Sequence, residues 1–67
     1  MFNEKLIRFM KEKIIQGDNQ MNVNVSELQE LKKLKVDNYL LKYEITNEYQ
    51  NNTFDVVFFV TDKFNEL

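Results

Sequence analysis

The sequence predicts a small single α+β domain over residues 1–67, in the order helix, strand, helix, strand, strand. Three observations predict it: a helical repeat of apolar residues near the start, alternation of apolar and polar residues further along, and six Phe and three Tyr that can build a core. We expect two helices to pack on one face of a short antiparallel sheet that ends in a C-terminal hairpin. A chain of 67 residues buries only about 60% of the surface that its unfolded form exposes, so this core is thin.

The first predicted element is an amphipathic helix between Phe2 and Gln16. Asn3 is a candidate N-cap, and Gly17, the only glycine of the chain, follows the helix where a residue of positive φ commonly ends it. The apolar residues recur every three or four positions and therefore share one face. That face comprises Phe2, Leu6, Ile7, Phe9, Met10 and Ile14.

A short strand and a second helix are predicted next. Residues 21–25 alternate between apolar and polar side chains, which is typical of a half-buried strand. Ser26 and Gln29 fit a capping box at the start of the second helix, and leucines at 28, 31 and 34 form its apolar edge. The C-terminal part of this helix carries three cations that interact favourably with the helix dipole, Lys32, Lys33 and Lys35.

The last third of the chain is predicted to form a β-hairpin with its loop at residues 47–52. Both flanking segments are rich in aromatic and β-branched residues at a period of two. The face turned toward the helices is expected to consist of Tyr39, Leu41, Tyr43 and Ile45 on the first strand and Phe54, Val56, Phe58 and Val60 on the second.

Residues 26–45 also fit part of a helix-turn-helix pattern, in which Asp37 would open a second, DNA-reading helix. The fit is partial, because residues 39–45 favour a strand and Leu31 occupies a position that the motif usually gives to a small residue. The sequence leaves open whether residues 39–45 form a strand or a recognition helix. The element order is similar to that of winged-helix DNA-binding proteins without their recognition helix. We interpret residues 24–36 as a capped structural helix and keep a small winged-helix-like DNA-binding regulator as the alternative function, with Lys32, Lys33 and Lys35 as its nucleic-acid contacts.

The composition argues against catalysis. There is no His and no Cys, which removes the commonest nucleophiles, bases and metal ligands, and one glycine cannot build a phosphate-binding loop. Four acidic residues of the hairpin region, Glu44, Glu48, Asp55 and Asp62, are interpreted as a solvated face. We expect no enzymatic activity, no cofactor, no metal and no small-molecule substrate.

The charge and hydropathy patterns predict a cytoplasmic protein with no membrane partner. No apolar run approaches the ~20 residues that a membrane-spanning helix needs, and the first residues mix charged with apolar side chains. The net charge of −2 provides no bulk attraction to nucleic acid. Residues 41–67 contain two Lys and five Asp or Glu, and this acidic end suggests mimicry of nucleic acid as a variant of the function.

An excess of apolar residues on the last strand predicts the interaction surface. If its even-numbered residues face the helices, Val57 and Phe59 must point to the opposite side, and Leu40 of the neighbouring strand can join them. Antiparallel sheets usually leave one face polar, so this cluster suggests a partner-binding site. The other interpretation is that the second helix, or Phe64 and Leu67 of the tail, fold over these residues.

We therefore expect a small non-catalytic protein-interaction module that binds another protein or a second copy of itself, with a homodimer as the predicted state. In size and in its Asn- and Lys-rich composition the chain resembles small accessory proteins of phages and other mobile elements. That resemblance implies an inhibitor that occupies the surface of a host protein. Nucleic acid is the second choice of partner.

Overall fold

Two helices and three strands follow one another in the predicted order, and the α+β fold class is confirmed. The computed structural model describes residues 2–67. Its elements are α1 (Glu4–Ile15), β1 (Gln20–Asn24), α2 (Val25–Val36), β2 (Leu40–Glu48), β3 (Thr53–Val60) and a C-terminal 3-10 turn (Asp62–Glu66).

α1 begins and ends where the sequence predicts. The Asn3 side chain accepts hydrogen bonds from two N–H groups of the first turn at 3.0 and 3.2 Å, which identifies it as the N-cap. Gly17 has φ +76°, and its N–H and that of Asp18 donate to carbonyls of the last turn at 3.0 and 2.9 Å. The buried face is narrower than predicted, because Phe9 and Ile14 are 45% and 38% exposed.

The predicted cap of α2 is wrong by two residues. Asn24, not Ser26, is the N-cap: its side chain accepts from the N–H of Glu27 at 2.8 Å, and the Glu27 carboxylate accepts from the N–H of Asn24 at 2.9 Å. Val25, predicted as the end of a strand, is the first helical residue. Asn24 is also the last residue of β1, where it pairs with Thr53, so α2 begins directly at the end of the strand.

No recognition helix follows α2 within the described residues. Asn38 adopts φ 67° and ends α2 with the same type of motif as Gly17, since the N–H of Tyr39 donates to the carbonyl of Leu34 at 2.8 Å. β2 begins at Leu40, so residues 40–48 are a strand. The second helix of the helix-turn-helix alternative is therefore absent from this part of the chain.

β3 is the central strand of the sheet, with both neighbours antiparallel to it in the order β1-β3-β2. Its residues pair with β1 from Gln20↔Val57 to Asn24↔Thr53. The pairing with β2 is interrupted by two register shifts, one between Leu40 and Lys42 and the other between residues 45 and 47. These β-bulges add one unpaired residue each to β2.

A single core lies between the sheet and the two helices. Val56 and Phe58 of β3 are each 1% exposed, and leucines of α2 at 31 and 34 are fully buried against them. Phe64 of the C-terminal turn is also fully buried in this cluster. The inward direction predicted for the even-numbered residues of β3 is thus confirmed, and Phe54 and Val60 pack against the same core.

Candidate interaction surface

The sheet has two faces, and the helices occupy only one. We call the inner face the side that carries Val56 and Phe58, and the outer face the opposite side, which carries Asp55, Val57 and Phe59. Residues paired across a ladder share a face. The outer face therefore also contains Gln20 and Asn22 of β1 and Lys42, Glu44 and Asn47 of β2.

Val57 and Phe59 form the apolar centre of the outer face. Phe59 is 37% exposed and Val57 is half-buried between the paired residues Gln20 and Glu44. The Lys42 ammonium lies 4.9 Å from the centroid of the Phe59 ring and 3.5 Å from a carboxylate oxygen of Glu44. The result is a small apolar patch with charged residues at its rim, and a cation–π contact at one side of it.

Leu40 does not belong to this patch, and its predicted position was wrong. The side chain is 2% exposed and lies in the core. It pairs with the inward-facing Val60, whereas Lys42 pairs with Phe59, so Leu41 is the extra residue of a bulge. That extra residue shifts the alternation by one, and simple counting along the strand therefore assigns Leu40 to the wrong side.

The C-terminal tail covers the helices and not the outer face. Phe64 is buried in the core, Leu67 packs against it, and the Lys11 ammonium donates a hydrogen bond to the Leu67 carbonyl. α2 likewise directs its buried leucines into the core. Within residues 2–67 the alternative that these elements fold over Val57 and Phe59 is therefore not realised.

Polar side chains next to the patch form a network around Asp55. Its carboxylate accepts hydrogen bonds from Asn22 Nδ2 at 3.0 Å and from the Tyr49 hydroxyl at 2.5 Å. The hydrogen bonds from Tyr49 and then Asn22 and Asn47 lower the pKa of Asp55 below its usual value, and the bond to Asp55 raises the pKa of Tyr49. Both carboxylate oxygens are thus engaged in joining β1, β3 and the hairpin loop.

The three lysines of α2 lie on its exposed side. Lys32, Lys33 and Lys35 are all exposed. The ion pairs formed within residues 2–67 are Lys13–Asp18 at 2.9 Å and Lys42–Glu44, so none of the three lysines is paired with a carboxylate there. They form a group of exposed cations near the carboxyl end of the helix.

Sequence reasoning missed the exposed residues of β2. Leu41 is 66% exposed as the extra residue of a bulge, although it was predicted to face the core. Ile45 lies on the predicted face, since it pairs with Val56, but its side chain is still 43% exposed. β2 is an edge strand, which its amino-acid pattern does not reveal, since the position of β3 in the centre depends on pairing with β1. After the buried Leu40, Tyr43 is the only half-buried residue of β2, and the other residues of this strand are exposed.

No protein-family model, curated protein sequence or solved structure matches this chain. No helix within residues 2–67 combines the length and hydropathy needed to cross a bilayer. In the same part of the chain no three His, Cys, Asp or Glu side chains are grouped as metal ligands. The fold and the surface define a small α+β domain whose sheet has one covered and one open face.

Proposed function

We propose that this chain is a small, non-catalytic, cytoplasmic protein-interaction module that binds another protein through the outer face of its sheet. One observation carries the proposal: Val57 and Phe59 lie on the central strand, on a face that no element of residues 2–67 covers. An apolar centre with a polar and charged rim is the usual arrangement of a protein interface. Phe59 has the position of an anchor residue for a pocket on the partner.

The resemblance to small phage and mobile-element proteins extends this proposal to inhibition of a host protein. An inhibitor of this kind acts by occupying a surface, which requires a rigid patch and no reactive group. Support for rigidity comes from the position of the patch on a strand that is hydrogen-bonded on both sides.

Affinity capture with matched variants tests the proposal. The wild-type chain, Phe59→Glu and Ile15→Glu are immobilised and exposed to a lysate of the source cell. Ile15 is 85% exposed at the end of α1, so Ile15→Glu introduces the same charge in place of an apolar side chain away from the outer face. We expect a protein that is retained by the wild type and by Ile15→Glu and is lost with Phe59→Glu, because an unpaired carboxylate in a desolvated interface is costly. Equal retention by Phe59→Glu would contradict the proposal.

A DNA-binding regulator is the second candidate, and the unpaired lysines of α2 favour it. Phosphate contacts release counterions, so the logarithm of affinity falls linearly with the logarithm of salt concentration. Changing Lys32, Lys33 and Lys35 together to Gln should then reduce that slope by about 0.9 for each phosphate that is no longer neutralised. Duplex binding measured over a salt series distinguishes the two functions, since the first proposal expects no such binding.

A further inference from the structure

The hydrogen-bond directions along β3 show which backbone N–H and C=O groups of β1 and β2 point away from the sheet at its two free edges. The N–H of Phe58 donates to Asn19 at 3.0 Å, which is on the β1 side, whereas the carbonyl of Asp55 accepts from the Thr46 hydroxyl, on the β2 side. In an antiparallel ladder the direction alternates from one residue to the next. The odd-numbered residues of β3 therefore form their hydrogen bonds with β2. Their partners Lys42 and Glu44 direct their backbone N–H and C=O groups toward β3. The residues between and after them, Tyr43 and Ile45, direct their N–H and C=O groups away from the sheet.

Side chains occupy part of the free edge of β1. Two backbone N–H groups that point away from β3 are already hydrogen-bonded. The N–H of Gln20 donates to the Asp18 carboxylate at 3.0 Å, and the N–H of Asn24 donates to the Glu27 carboxylate at 2.9 Å. A third strand residue, Asn22, lies between them. With two of its three outward-pointing N–H groups already bonded, this five-residue edge offers less to another strand than a fully unpaired one.

The free edge of β2 is open. β2 is nine residues long, against five for β1, and its regular segment between the two bulges comprises residues 42–45. Neither Tyr43 nor Ile45 donates its N–H to a loop carbonyl or a side chain within residues 2–67. Two exposed apolar side chains, Leu41 and Ile45, lie along this edge. Unpaired backbone groups beside exposed apolar side chains are a template for pairing with another strand.

The residue order of β2 is complementary to itself about Tyr43. If two copies pair antiparallel with Tyr43 opposite Tyr43, Lys42 of each copy lies opposite Glu44 of the other. The backbone N–H and C=O groups of the two Tyr43 residues then hydrogen-bond each other. Lys42 and Glu44 form the non-hydrogen-bonded pairs on either side, in which the side chains lie closer together and interact most strongly. Centring the pair on Lys42 or on Glu44 instead would place like charges opposite each other.

We propose that the chain forms a two-fold symmetric dimer by antiparallel pairing of β2 with β2 of a second copy, centred on Tyr43. The product is a continuous six-stranded sheet whose two outer edges are both β1, so both β2 edges are used up in the pairing. The assembly therefore stops at two copies. Pairing at the edge leaves Val57 and Phe59 uncovered, so the dimer presents two copies of the outer-face patch on one surface.

A charge-swap experiment tests the register. Lys42→Glu places acids opposite acids in a homodimer, and Glu44→Lys places lysines opposite lysines. In an equimolar mixture of the two variants the introduced glutamate lies opposite the introduced lysine, and the native Glu44 lies opposite the native Lys42. By sedimentation equilibrium we expect the wild type to dimerise, each variant alone to dimerise about tenfold or more weakly, and the mixture to recover the wild-type association.

Two further variants keep the outcomes separate. Ile45→Pro removes an outward N–H while leaving the bonds to β3, which an edge strand tolerates, and it should abolish the dimer with the circular dichroism spectrum unchanged. Phe59→Glu should leave the dimer intact, so loss of host-protein capture and loss of dimerisation are measured independently. A wild type that is monomeric up to about 1 mM, a mixture no tighter than its components, or a dimer that survives Ile45→Pro would each overturn the proposed pairing.

Discussion

Two phenylalanines that are neighbours in sequence end in opposite environments. Phe58 is 1% exposed in the core, whereas Phe59 is 37% exposed on the outer face, with the Lys42 ammonium 4.9 Å from its ring centroid. Both lie on the central strand, so the difference does not come from position in the sheet. It arises because α1, α2 and the C-terminal turn all pack on the same side. The comparison teaches that, in a sheet covered on one face, residue type alone does not distinguish a core residue from one on the uncovered face.

Replacing each of the two phenylalanines by alanine should give the largest difference in the loss of stability between the two faces. Phe58→Ala leaves a cavity in a closed core and should lower the free energy of unfolding by about 3–5 kcal/mol. Phe59→Ala removes a partly exposed ring and should cost about 1 kcal/mol or less. Urea denaturation of both variants measures this difference. Equal losses of stability would mean that the two faces are equally buried in solution.

The inner face also depends on how α1 ends. Gly17→Val should destabilise the chain by about 1–3 kcal/mol, because a β-branched residue is strained at positive φ. A Cβ at this position would meet nothing within 4 Å, so the loss reports the backbone conformation and not a steric clash. Thermal denaturation checks it, with Gly17→Asn as the matched control, since Asn tolerates this conformation and already adopts it at Asn38. Identical melting of Gly17→Val and wild type would show that residue 17 does not need a positive φ.

The start of α2 provides a smaller test on the same side of the sheet. Asn24→Ala should cost about 1 kcal/mol, because the capping bond from the N–H of Glu27 disappears. Ser26→Ala, within the first turn, should cost a few tenths of a kcal/mol at most. If Ser26→Ala proves the more damaging substitution in a denaturation series, the helix begins at the later residue.

Low pH should destabilise the folded state by protonating Asp55 on the outer face. Its pKa is lowered by the bonds from Tyr49 and Asn22, so it stabilises the folded state above its unfolded pKa, and this contribution is lost as the pH falls through the folded value. The stability difference between wild type and Asp55→Asn should therefore be largest at neutral pH and shrink toward pH values below about 4. A difference that is constant with pH would show that Asp55 gains nothing from its network.

Local chemistry explains which features were predictable. Asn3 and Gly17 each act within a single helical turn, so their roles follow from residue type and spacing. Leu40 was misplaced because a bulge depends on the pairing of two strands that are distant from the turn signals. Ser26 was predicted as the cap from its spacing to Gln29, whereas the actual cap, Asn24, is set by where β1 stops pairing with β3.

In the candidate surface, too, the features set by one strand were predictable and those set by strand order were not. Val57 and Phe59 follow from alternation within one uninterrupted strand, and their direction was predicted correctly. The open edge at Tyr43 and Ile45 was not predictable, since it exists only because β3 lies between β1 and β2. Strand order is a property of long-range pairing and leaves no local mark on the sequence.

One pair of variants tests the central claim, that the sheet has a closed inner face and an open outer one. Phe58→Glu and Phe59→Glu introduce the same charge at adjacent positions of β3, and each is studied by circular dichroism melting. We predict that Phe58→Glu is unfolded, because an isolated carboxylate cannot be accommodated in a thin apolar core. Phe59→Glu should retain the wild-type spectrum and a cooperative transition. Unfolding of Phe59→Glu, or a folded Phe58→Glu, would contradict the claim.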